Sequence, residues 1–448
     1  MYDLIVIGGG PGGYAAADFA AKNGMRVALV ERDALGGTCL HRGCVPTKAY
    51  LHAAELAAQA AALGMTEPID RAAMLARKNE TVASLADGVA RLMKSDRVDV
   101  FAGTGKLVAA SPLTVSIESD APQTLQAAHV LLATGSKPAR IPVPGCDSPD
   151  VWTSDDLLGA AGAEAFASLL IVGGGVIGVE MACVYARLGV AVTILEAEKS
   201  CLPMLDRELS RGAETILKSL NVTLLTGARL TEIRPGFNVA YEKDGQTGEV
   251  ACERVLLSTG RAPMTDALGI PVEMNRRFVA VDERYRTSVP SVYAIGDVNG
   301  LCQLAHAAHA QGVVAVADML GIPAPMDAAL IPSCVYTAPE IAAVGLTQDE
   351  AKARGLDADA AKALTTSNAR TLIEGLGRGF VKLVYERPSG RILGAQLLCG
   401  RATDLIGELT LAISRGTTAA ELARAVHPHP TYCEAIAEAA TAACAKLK

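Results

Sequence analysis

The sequence predicts an α/β fold, because two units of strand, glycine-rich turn, helix and second strand occur along the chain with matching spacing. Each unit begins with an uninterrupted apolar run, which is typical of a strand buried on both faces of a parallel sheet. From Ile331 onward the composition changes, and strands such as 380–384 and 392–395 are followed by helices. We therefore expect two units of parallel sheet followed by an α+β domain.

The first unit has the pattern that a dinucleotide requires. The apolar strand 4–7 leads directly into Gly8, Gly10 and Gly13. In this pattern the first glycine permits a tight turn, the second lets the backbone approach a pyrophosphate, and the third lets helix and strand pack closely. The pyrophosphate would lie at the positive end of the following helix. A second strand ends at Glu31, where its carboxylate would bind the adenosine ribose, so the unit is predicted to be a Rossmann-like dinucleotide-binding domain.

The second unit repeats this arrangement. Strand 169–172 leads into Gly173, Gly175 and Gly178, and another strand ends at Glu196. In both units the acid follows the first glycine by 23 residues, Gly8 to Glu31 and Gly173 to Glu196. Two nucleotides are therefore expected. The acid favours a free 2′-hydroxyl, and only Lys199 lies nearby as a cation, so NAD is preferred over NADP.

A pair of cysteines, Cys39 and Cys44, follows the first unit closely. In a straight helix, residues five apart lie about 7.5 Å apart along the axis and on different faces. A disulfide needs Cα atoms within roughly 7 Å. If these cysteines pair, the helix must be distorted, and the short loop suits redox cycling better than stabilisation of a fold. The other interpretation is two unpaired, packed thiols.

Composition limits the classes of partner. The chain has 448 residues, a net charge of −7 and no dense run of Lys and Arg, so neither nucleic acid nor a membrane is expected as a partner. The apolar stretch 168–186 contains three consecutive glycines and Glu180, which fits a buried strand, turn and helix better than a membrane span. Met1 leads straight into a strand, so no signal peptide is expected. Eleven scattered cysteines indicate mostly reduced thiols and a cytoplasmic location.

Together with further motifs, the cysteine motif resembles that of the pyridine nucleotide–disulfide oxidoreductases over essentially the whole chain. The matching stretches are Gly36 to Lys48, Ala133 to Gly135, Ser258 to Pro263, Tyr293 to Asp297 and His427 to Glu434. The form His-x-His-Pro-Thr, together with Glu196, is most similar to the dihydrolipoamide dehydrogenase subgroup. The resemblance implies FAD and NAD as cofactors, and oxidation of dihydrolipoamide by NAD⁺ to give lipoamide and NADH. It also implies lipoamide or a lipoyl carrier protein as the partner.

The resemblance assigns roles to single residues. Cys44 would be the thiol next to the flavin, and Cys39 the thiol that exchanges with the substrate. His429 would be the base and Glu434 would orient it, while His427, the less favoured base, would pack or hydrogen-bond at the interface. The implied cofactor-binding residues are Gly8, Gly10, Gly13, Glu31, Thr38, Lys48, Thr134, Gly135, Gly296, Asp297, Gly173, Gly175, Gly178, Glu180, Glu196 and Gly260. Among these, Lys48 would approach the flavin and Glu180 would be its ion-pair partner.

The expected domains follow from these motifs. They are an FAD-binding domain (1–145), an NAD-binding domain (146–264), a return to the FAD-binding part (265–330) and a dimerisation domain (331–448). The Ala-rich stretch at about 45–95 is expected to be helical, and Pro142 to Gly145 is expected to be a linker. In the family the last domain forms a homodimer and lends its histidine to the partner's disulfide. His306 and His309 are too few ligands for a metal site, so no metal is expected.

The chain departs from the subgroup's pattern at His41 and Arg42, between the cysteines, and at Cys433. These departures leave the substrate open but not the class of reaction. One alternative is a reductase of another disulfide, such as glutathione or trypanothione, although the arginines typical of NADP are missing. Mercuric reductases and enzymes with a C-terminal redox tail need thiol pairs that Cys433 and Cys444 do not provide. A binding subunit of a multienzyme complex is the remaining alternative.

Overall fold

The computed structural model describes residues 1–65 and 70–447 of the chain. Its first sheet has a parallel part and an antiparallel extension. The parallel strands, in spatial order, are Asp99–Ala102, Val27–Glu31, Tyr2–Ile7, Gln123–Leu132 and Val292–Ala294. The antiparallel part contains Thr104–Ala110, Leu113–Glu118 and the first half of Gln123–Leu132. The strand Val292–Ala294 joins this sheet although it follows the second unit in sequence.

The second sheet repeats this plan on a smaller scale. Its parallel strands, in order, are Thr223–Thr226, Ala191–Glu196, Ser168–Val172 and Arg254–Leu257. A separate antiparallel sheet consists of Ala228–Arg234, Asn238–Lys243 and Gln246–Ala251. The first strand of each unit is buried along most of its length, since neighbouring strands flank it and helices cover the sheet.

Helices cover both parallel sheets. In the first unit they are Pro11–Lys22, Gly37–Arg42, Cys44–Ala62, Arg71–Ser95 and Ala305–Leu320. In the second they are Ser154–Leu157, Val176–Arg187 and Arg207–Ser219. Helices Pro11–Lys22 and Ala305–Leu320 pack very closely, because a Cβ on Gly312 would lie 2.8 Å from the carbonyl oxygen of Gly12. The short strands Ser136–Pro138 and Arg261–Pro263 pair with each other and join the two units.

The C-terminal part is an antiparallel sheet of five strands, as the predicted α+β class requires. In spatial order they are Ser333–Val335, Glu340–Gly345, Ile392–Cys399, Phe380–Glu386 and Ala358–Leu364. The helices here are Gln348–Ala353, Ala369–Ile373, Ala402–Ser414, Ala419–Leu422 and Glu434–Lys446. The two longest helices pack on one face of the sheet. The opposite face packs on helix Arg207–Ser219, where a Cβ on Gly212 would meet the Leu398 side chain at 2.5 Å.

The Ala-rich stretch predicted to be helical contains two helices, Cys44–Ala62 and Arg71–Ser95, and residues 66–69 between them lie outside the described part. The apolar stretch 168–186 is a strand, a turn and most of a helix, as predicted. Within the described residues, no helix is long and apolar enough to cross a membrane.

Candidate active site and nucleotide-binding cleft

The first glycine turn has the close contacts that the pattern predicts. Gly8 has a φ of +107°, and a Cβ there would lie 2.3 Å from the carbonyl oxygen of Ala133. A Cβ on Gly13 would lie 1.9 Å from the carbonyl oxygen of Gly8, so the helix can approach the strand only without a side chain. At Gly10, by contrast, a Cβ would meet no atom within 4 Å. Gly10 borders open space in the cleft, so its lack of a side chain leaves room for a ligand.

The second turn has the same geometry. Gly173 has a φ of +111°, and its Cβ would lie 2.5 Å from the carbonyl oxygen of Ser258. A Cβ on Gly178 would lie 2.0 Å from the carbonyl oxygen of Gly173, whereas a Cβ on Gly175 would meet nothing within 4 Å. The repeat in sequence is therefore also a repeat in three dimensions.

The two acids that end the second strands are held in matching ways. Glu31 accepts hydrogen bonds from the backbone N–H of Gly9 at 2.6 Å and of Asp33 at 2.8 Å. Glu196 accepts them from Gly174 at 2.5 Å and from Glu198 at 2.7 Å. A carboxylate has about four lone-pair sites, so each acid keeps acceptor capacity for ribose hydroxyls.

Both glycine turns line one cleft of about 1640 Å³. Further residues that were expected to bind the cofactors lie outside the two turns and also line the cleft. They are Glu31, Thr38, Lys48, Thr134, Gly135, Glu180, Glu196, Gly260, Gly296 and Asp297. The empty space beside Gly10 and Gly175, at the starts of two helices, suits the pyrophosphates of two dinucleotides. The cleft therefore fits two dinucleotides, one at each turn.

Asp297, expected to hold the ribityl chain of FAD, is fixed by residues of the two joining strands. The Ser136 hydroxyl donates a hydrogen bond to its carboxylate, and Arg261 Nε lies 3.6 Å from the same oxygen. Arg261 Nε also donates to the Ser136 hydroxyl at 2.6 Å. Gly296, with a φ of +71°, donates its N–H to the buried Gln311 side chain at 2.7 Å. The supporting roles of Ser136 and Gln311 were not predicted, because they depend on contacts between distant segments.

The paired turns after each unit contact each other. Thr134 Oγ1 donates to the carbonyl oxygen of Met264 at 2.6 Å, and the N–H of Met264 donates to the carbonyl oxygen of Gly135 at 2.9 Å. Gly260 has a φ of +99°, and its carbonyl oxygen accepts from the N–H of Ala139 at 3.0 Å. The chain thus crosses between its two units at adjacent positions, and both crossings border the cleft.

A disulfide joins Cys39 and Cys44. Cys39 lies in the short helix Gly37–Arg42, and Cys44 is the first residue of helix Cys44–Ala62. The helix is interrupted at Gly43, which agrees with the prediction that a paired Cys39 and Cys44 require a distorted helix. The Cα atoms of the two cysteines lie 4.7 Å apart. Gly37 packs on the first glycine turn, since its Cβ would lie 2.7 Å from the Cα of Gly10. The loop that carries the disulfide therefore packs directly against the first glycine turn.

Lys48 and Glu180 form the expected ion pair. Lys48 Nζ lies 2.9 Å and 3.1 Å from the two carboxylate oxygens of Glu180. The Glu180 side chain is only 3% exposed, whereas that of Lys48 is 32% exposed. Lys48 lies one helical turn after Cys44, and both residues line the cleft. The pair therefore places a partly buried cation close to the disulfide.

His429 and Glu434 also form a pair, with His429 Nδ1 2.8 Å from Glu434 Oε1. The backbone N–H of Thr431 and then the His429 ring hold the pKa of the Glu434 carboxyl below its usual value. An ionised carboxylate can only accept, so Nδ1 is the donor, and in the neutral ring Nε2 is the nitrogen that can accept a proton. The His429 side chain is 71% exposed. Among the described residues, those lining the cleft do not include His429 or Glu434.

The other histidines have different surroundings. His427 Nε2 lies 3.0 Å from Glu408 of helix Ala402–Ser414, a contact within the chain. His306 lines the cleft, and its Nε2 lies 2.7 Å from the carbonyl oxygen of Pro332. In residues 1–65 and 70–447 there is no group of three His, Cys, Asp or Glu that could hold a metal ion.

The three departures from the subgroup's pattern all have contacts. His41 Nε2 lies 2.8 Å from the carbonyl oxygen of Leu35, and Arg42 pairs with Asp33. Both contacts connect the loop that carries the disulfide to the segment just after Glu31. Cys433 Sγ lies 2.8 Å from the Thr431 hydroxyl, beside the histidine–glutamate pair.

The other cysteines are free thiols. Cys334 lines the cleft, but burial raises its pKa to about 11. It is therefore a protonated thiol at neutral pH and a poor nucleophile, since the thiolate is the reactive form.

Comparisons with known proteins agree with this geometry. Residues 2–312 match the family model described as pyridine nucleotide-disulphide oxidoreductase, and residues 331–440 match that family's dimerisation domain. The dihydrolipoyl dehydrogenase of Bacillus subtilis (strain 168) is 38% identical over 465 residues, covering 99% of this chain and 98% of the relative. That of Chlorobaculum parvum is 38% identical over 459 residues, covering 99% and 97%.

Two solved structures are similar over almost the whole chain. LpdA from Mycobacterium tuberculosis has a TM-score of 0.90 at 29% identity and covers 98% of this chain and 99% of its own. The HOCl-induced flavoprotein disulfide reductase RclA from Escherichia coli has a TM-score of 0.86 at 27% identity, with coverage of 98% and 99%.

Proposed function

The chain belongs to the pyridine nucleotide-disulphide oxidoreductase family, and from this premise we propose that it oxidises dihydrolipoamide with NAD⁺. The products are lipoamide, NADH and a proton, so two electrons leave the dithiol as a disulfide forms. The relatives named dihydrolipoyl dehydrogenase, which match along nearly their whole length, support this substrate. One structural observation carries the proposal: the Cys39–Cys44 disulfide opens into the same cleft as both glycine turns.

The cofactors are FAD and NAD, with FAD at the turn that begins at Gly8 and NAD at the turn that begins at Gly173. When bound, they supply two-electron transfer between the enzyme's thiols and the nicotinamide. The chain contributes the two ribose-binding acids, Glu31 and Glu196, and the carboxylate of Asp297.

The position of the two cysteines supports different roles for them in disulfide exchange. Cys44 begins a long helix, and the positive end of a helix stabilises a thiolate there, as does Lys48 one turn later. The better leaving group is the more stable thiolate. A substrate thiolate therefore attacks the Cys39 sulfur, a substrate–Cys39 disulfide forms, and Cys44 leaves as a thiolate. The second substrate thiolate then closes the lipoamide disulfide and releases Cys39.

This exchange needs a base, because the substrate presents thiols and the thiolate is the nucleophile. His429 has its Nε2 free and its Nδ1 proton held by the Glu434 carboxylate. We assign it to accept the proton from the first substrate thiol and release it to solvent, and then to pass the proton of the second substrate thiol to the departing Cys39. The carboxylate keeps the ring in the required tautomer and stabilises the charge that the ring gains.

We propose that the working unit is a homodimer. The exposed His429 and the lack of His429 among the residues that line the chain's own cleft support a site completed by a second chain. The match of residues 331–440 to a dimerisation domain supports the same arrangement. The substrate is then dihydrolipoamide, free or attached to a lipoyl carrier protein, entering between the two chains.

A cytoplasmic location is part of the proposal. It is supported by the nine cysteines outside the redox pair, which are free thiols although oxidising compartments favour disulfides.

The test is turnover of NADH and NADPH side by side with free lipoamide, glutathione disulfide and mercuric ion. We expect the highest kcat/KM for NADH with lipoamide. Turnover of glutathione disulfide at a rate equal to or above that of lipoamide would refute the proposed substrate.

A further inference from the structure

The ion pair of Lys48 and Glu180 is completed by a residue from the C-terminal part of the chain. Tyr336 follows the strand Ser333–Val335 and lines the cleft. Its backbone N–H donates a hydrogen bond of 3.0 Å to Glu180 Oε1. Three segments distant in sequence therefore meet at one point. They are the helix that begins at Cys44, the helix Val176–Arg187 of the second unit, and the C-terminal sheet.

The Tyr336 ring also contacts the cation. Lys48 Nζ lies 4.4 Å from the ring centroid, within the distance at which a cation is attracted to an aromatic face. The half-buried ring lies on one side of the ammonium group, and the almost fully buried Glu180 lies within hydrogen-bonding distance. Partial removal of water strengthens both interactions.

The lysine side chain needs such support because it has four rotatable bonds, and holding it in one position costs conformational entropy. A single carboxylate leaves the ammonium free to take several positions around it. An aromatic face that also binds the ammonium reduces these positions. The position matters because Lys48 lies one turn after Cys44, where reduction of the disulfide places negative charge.

We propose that Tyr336 is a positioning residue that holds the Lys48 ammonium beside Cys44 and thereby favours the reduced, thiolate form of the redox pair. This role rests on the proposed function, because it concerns the thiols of that reaction. Reduction by NADH delivers a hydride, which converts the disulfide into one thiol and one thiolate and leaves NAD⁺. The ring acts on the thiolate only through Lys48.

The position of Lys48 can be measured without cofactor. Lysines of the FAD-free protein are dimethylated with ¹³C-formaldehyde, which keeps their charge, and the Lys48 signal is assigned by its loss in Lys48→Arg. The Tyr336 ring current should shift this signal upfield. The shift should disappear in Tyr336→Leu and Tyr336→Met and persist in Tyr336→Phe, because the ring and not the hydroxyl makes the contact. Tyr241→Leu, on a strand away from the cleft, is the matched control and should leave the signal unchanged.

The second measurement uses the FAD-loaded protein. In Tyr336→Leu and Tyr336→Met the equilibrium constant for reduction of the disulfide by NADH should fall on the order of fivefold, the size expected for one cation–π contact. Tyr336→Phe should keep this equilibrium constant at the value of the unmodified chain. The backbone N–H to Glu180 remains in every variant, so these substitutions test the ring alone.

The outcomes separate the two proposals. An unchanged Lys48 signal or an unchanged equilibrium constant in both aliphatic variants would overturn the positioning role. The Tyr336 substitutions could change the Lys48 signal and the equilibrium constant as expected while the unmodified chain shows no lipoamide turnover. That result would support the positioning role and contradict the proposed substrate.

Discussion

Cys39 and Cys44 lie on two different helices, and the break between these helices brings their Cα atoms to 4.7 Å. Gly43, between the helices, has φ −143° and ψ −109°, far from helical values. A Cβ there would lie 3.0 Å from the carbonyl oxygen of Thr38. The glycine therefore lets the chain pass close to the first helix and start a second one at Cys44.

The different roles proposed for Cys39 and Cys44 give a prediction for single substitutions. Cys44→Ser should retain FAD but lose both lipoamide turnover and the long-wavelength absorbance of a thiolate beside the flavin. Cys39→Ser should also stop turnover, yet keep a thiolate at Cys44 and its absorbance. Visible spectra and lipoamide assays distinguish the two variants, with Cys252→Ser, away from the cleft, as the control. Wild-type turnover in either redox variant would contradict the assigned roles.

The empty space beside the second glycine of each turn predicts separable losses of the two cofactors. Gly10→Ala and Gly175→Ala should both fold, because the added Cβ meets no protein atom within 4 Å. Gly10→Ala should lose flavin absorbance on gel filtration. Gly175→Ala should keep flavin and raise the KM for NAD⁺ about tenfold, as overpacking typically costs about 1–3 kcal/mol. Gly88→Ala, in helix Arg71–Ser95, is the control for a glycine away from the cleft. Unchanged flavin content in Gly10→Ala would refute FAD at this turn.

Cofactor choice should depend on Glu196. We propose that its carboxylate binds the adenosine ribose, and a 2′-phosphate there would make a like-charge contact, which can cost several kcal/mol. We expect a strong preference for NADH over NADPH in kcat/KM, and a much smaller preference in Glu196→Gln. Glu198→Gln removes a neighbouring charge but keeps the backbone N–H that holds Glu196, so it should retain the preference. Comparable kcat/KM values for the two nucleotides in the unmodified enzyme would contradict this assignment.

A site shared between chains predicts complementation. Cys39→Ser and His429→Gln chains should each be inactive as homodimers, and each mixed dimer would contain one site with both residues intact. When the two chains are refolded together and pair at random, about a quarter of wild-type lipoamide turnover should return, because about half of the dimers are mixed and one of their two sites is complete. Both residues must be intact in one site because a base must lie within about 3 Å of its proton donor. If confirmed mixed dimers with bound FAD stay inactive, the two residues work within one chain.

Stability should fall on the acid side because of His129. Burial lowers the pKa of this imidazole below its usual 6.5, against a smaller opposing effect of the Asp3 and Asp318 carboxylates. The folded state therefore disfavours the charged form, so the stabilising contribution is complete above pH 6.5 and is lost as pH falls below it. Between pH 7.5 and 5.5 this loss should amount to at most about 1.5 kcal/mol, the limit for a single imidazole that stays neutral in the folded chain.

Urea midpoints at the two pH values measure the effect. His129→Phe, which preserves a ring against Tyr293, should show a smaller drop than the unmodified chain. His52→Gln, at an exposed position, should show the full drop. An identical pH dependence in His129→Phe would show that this imidazole does not contribute.

Local features were predictable where the cause is local. The positions of Gly8 and Gly173 at strand ends follow from spacing along the chain, because a strand, a tight turn and a helix each have their own sequence pattern. The interruption of the helix between Cys39 and Cys44 was predictable for the same reason, since helix geometry excludes the pair otherwise. Tyr336 had no comparable signal: its role depends on a ring and a backbone N–H reaching residues about 150 and 290 positions away.

The sequence by itself determined the order of elements, the two nucleotide units and the chemical groups available, because periodicity, glycine pattern and residue type are properties of short segments. Only the tertiary structure decided which of these groups meet. It joined Lys48, Glu180 and Tyr336 in the cleft and left the His429–Glu434 pair on the surface of the chain. The physical reason is that contacts between distant segments depend on how sheets and helices pack, and packing is a property of the whole fold and not of any one segment.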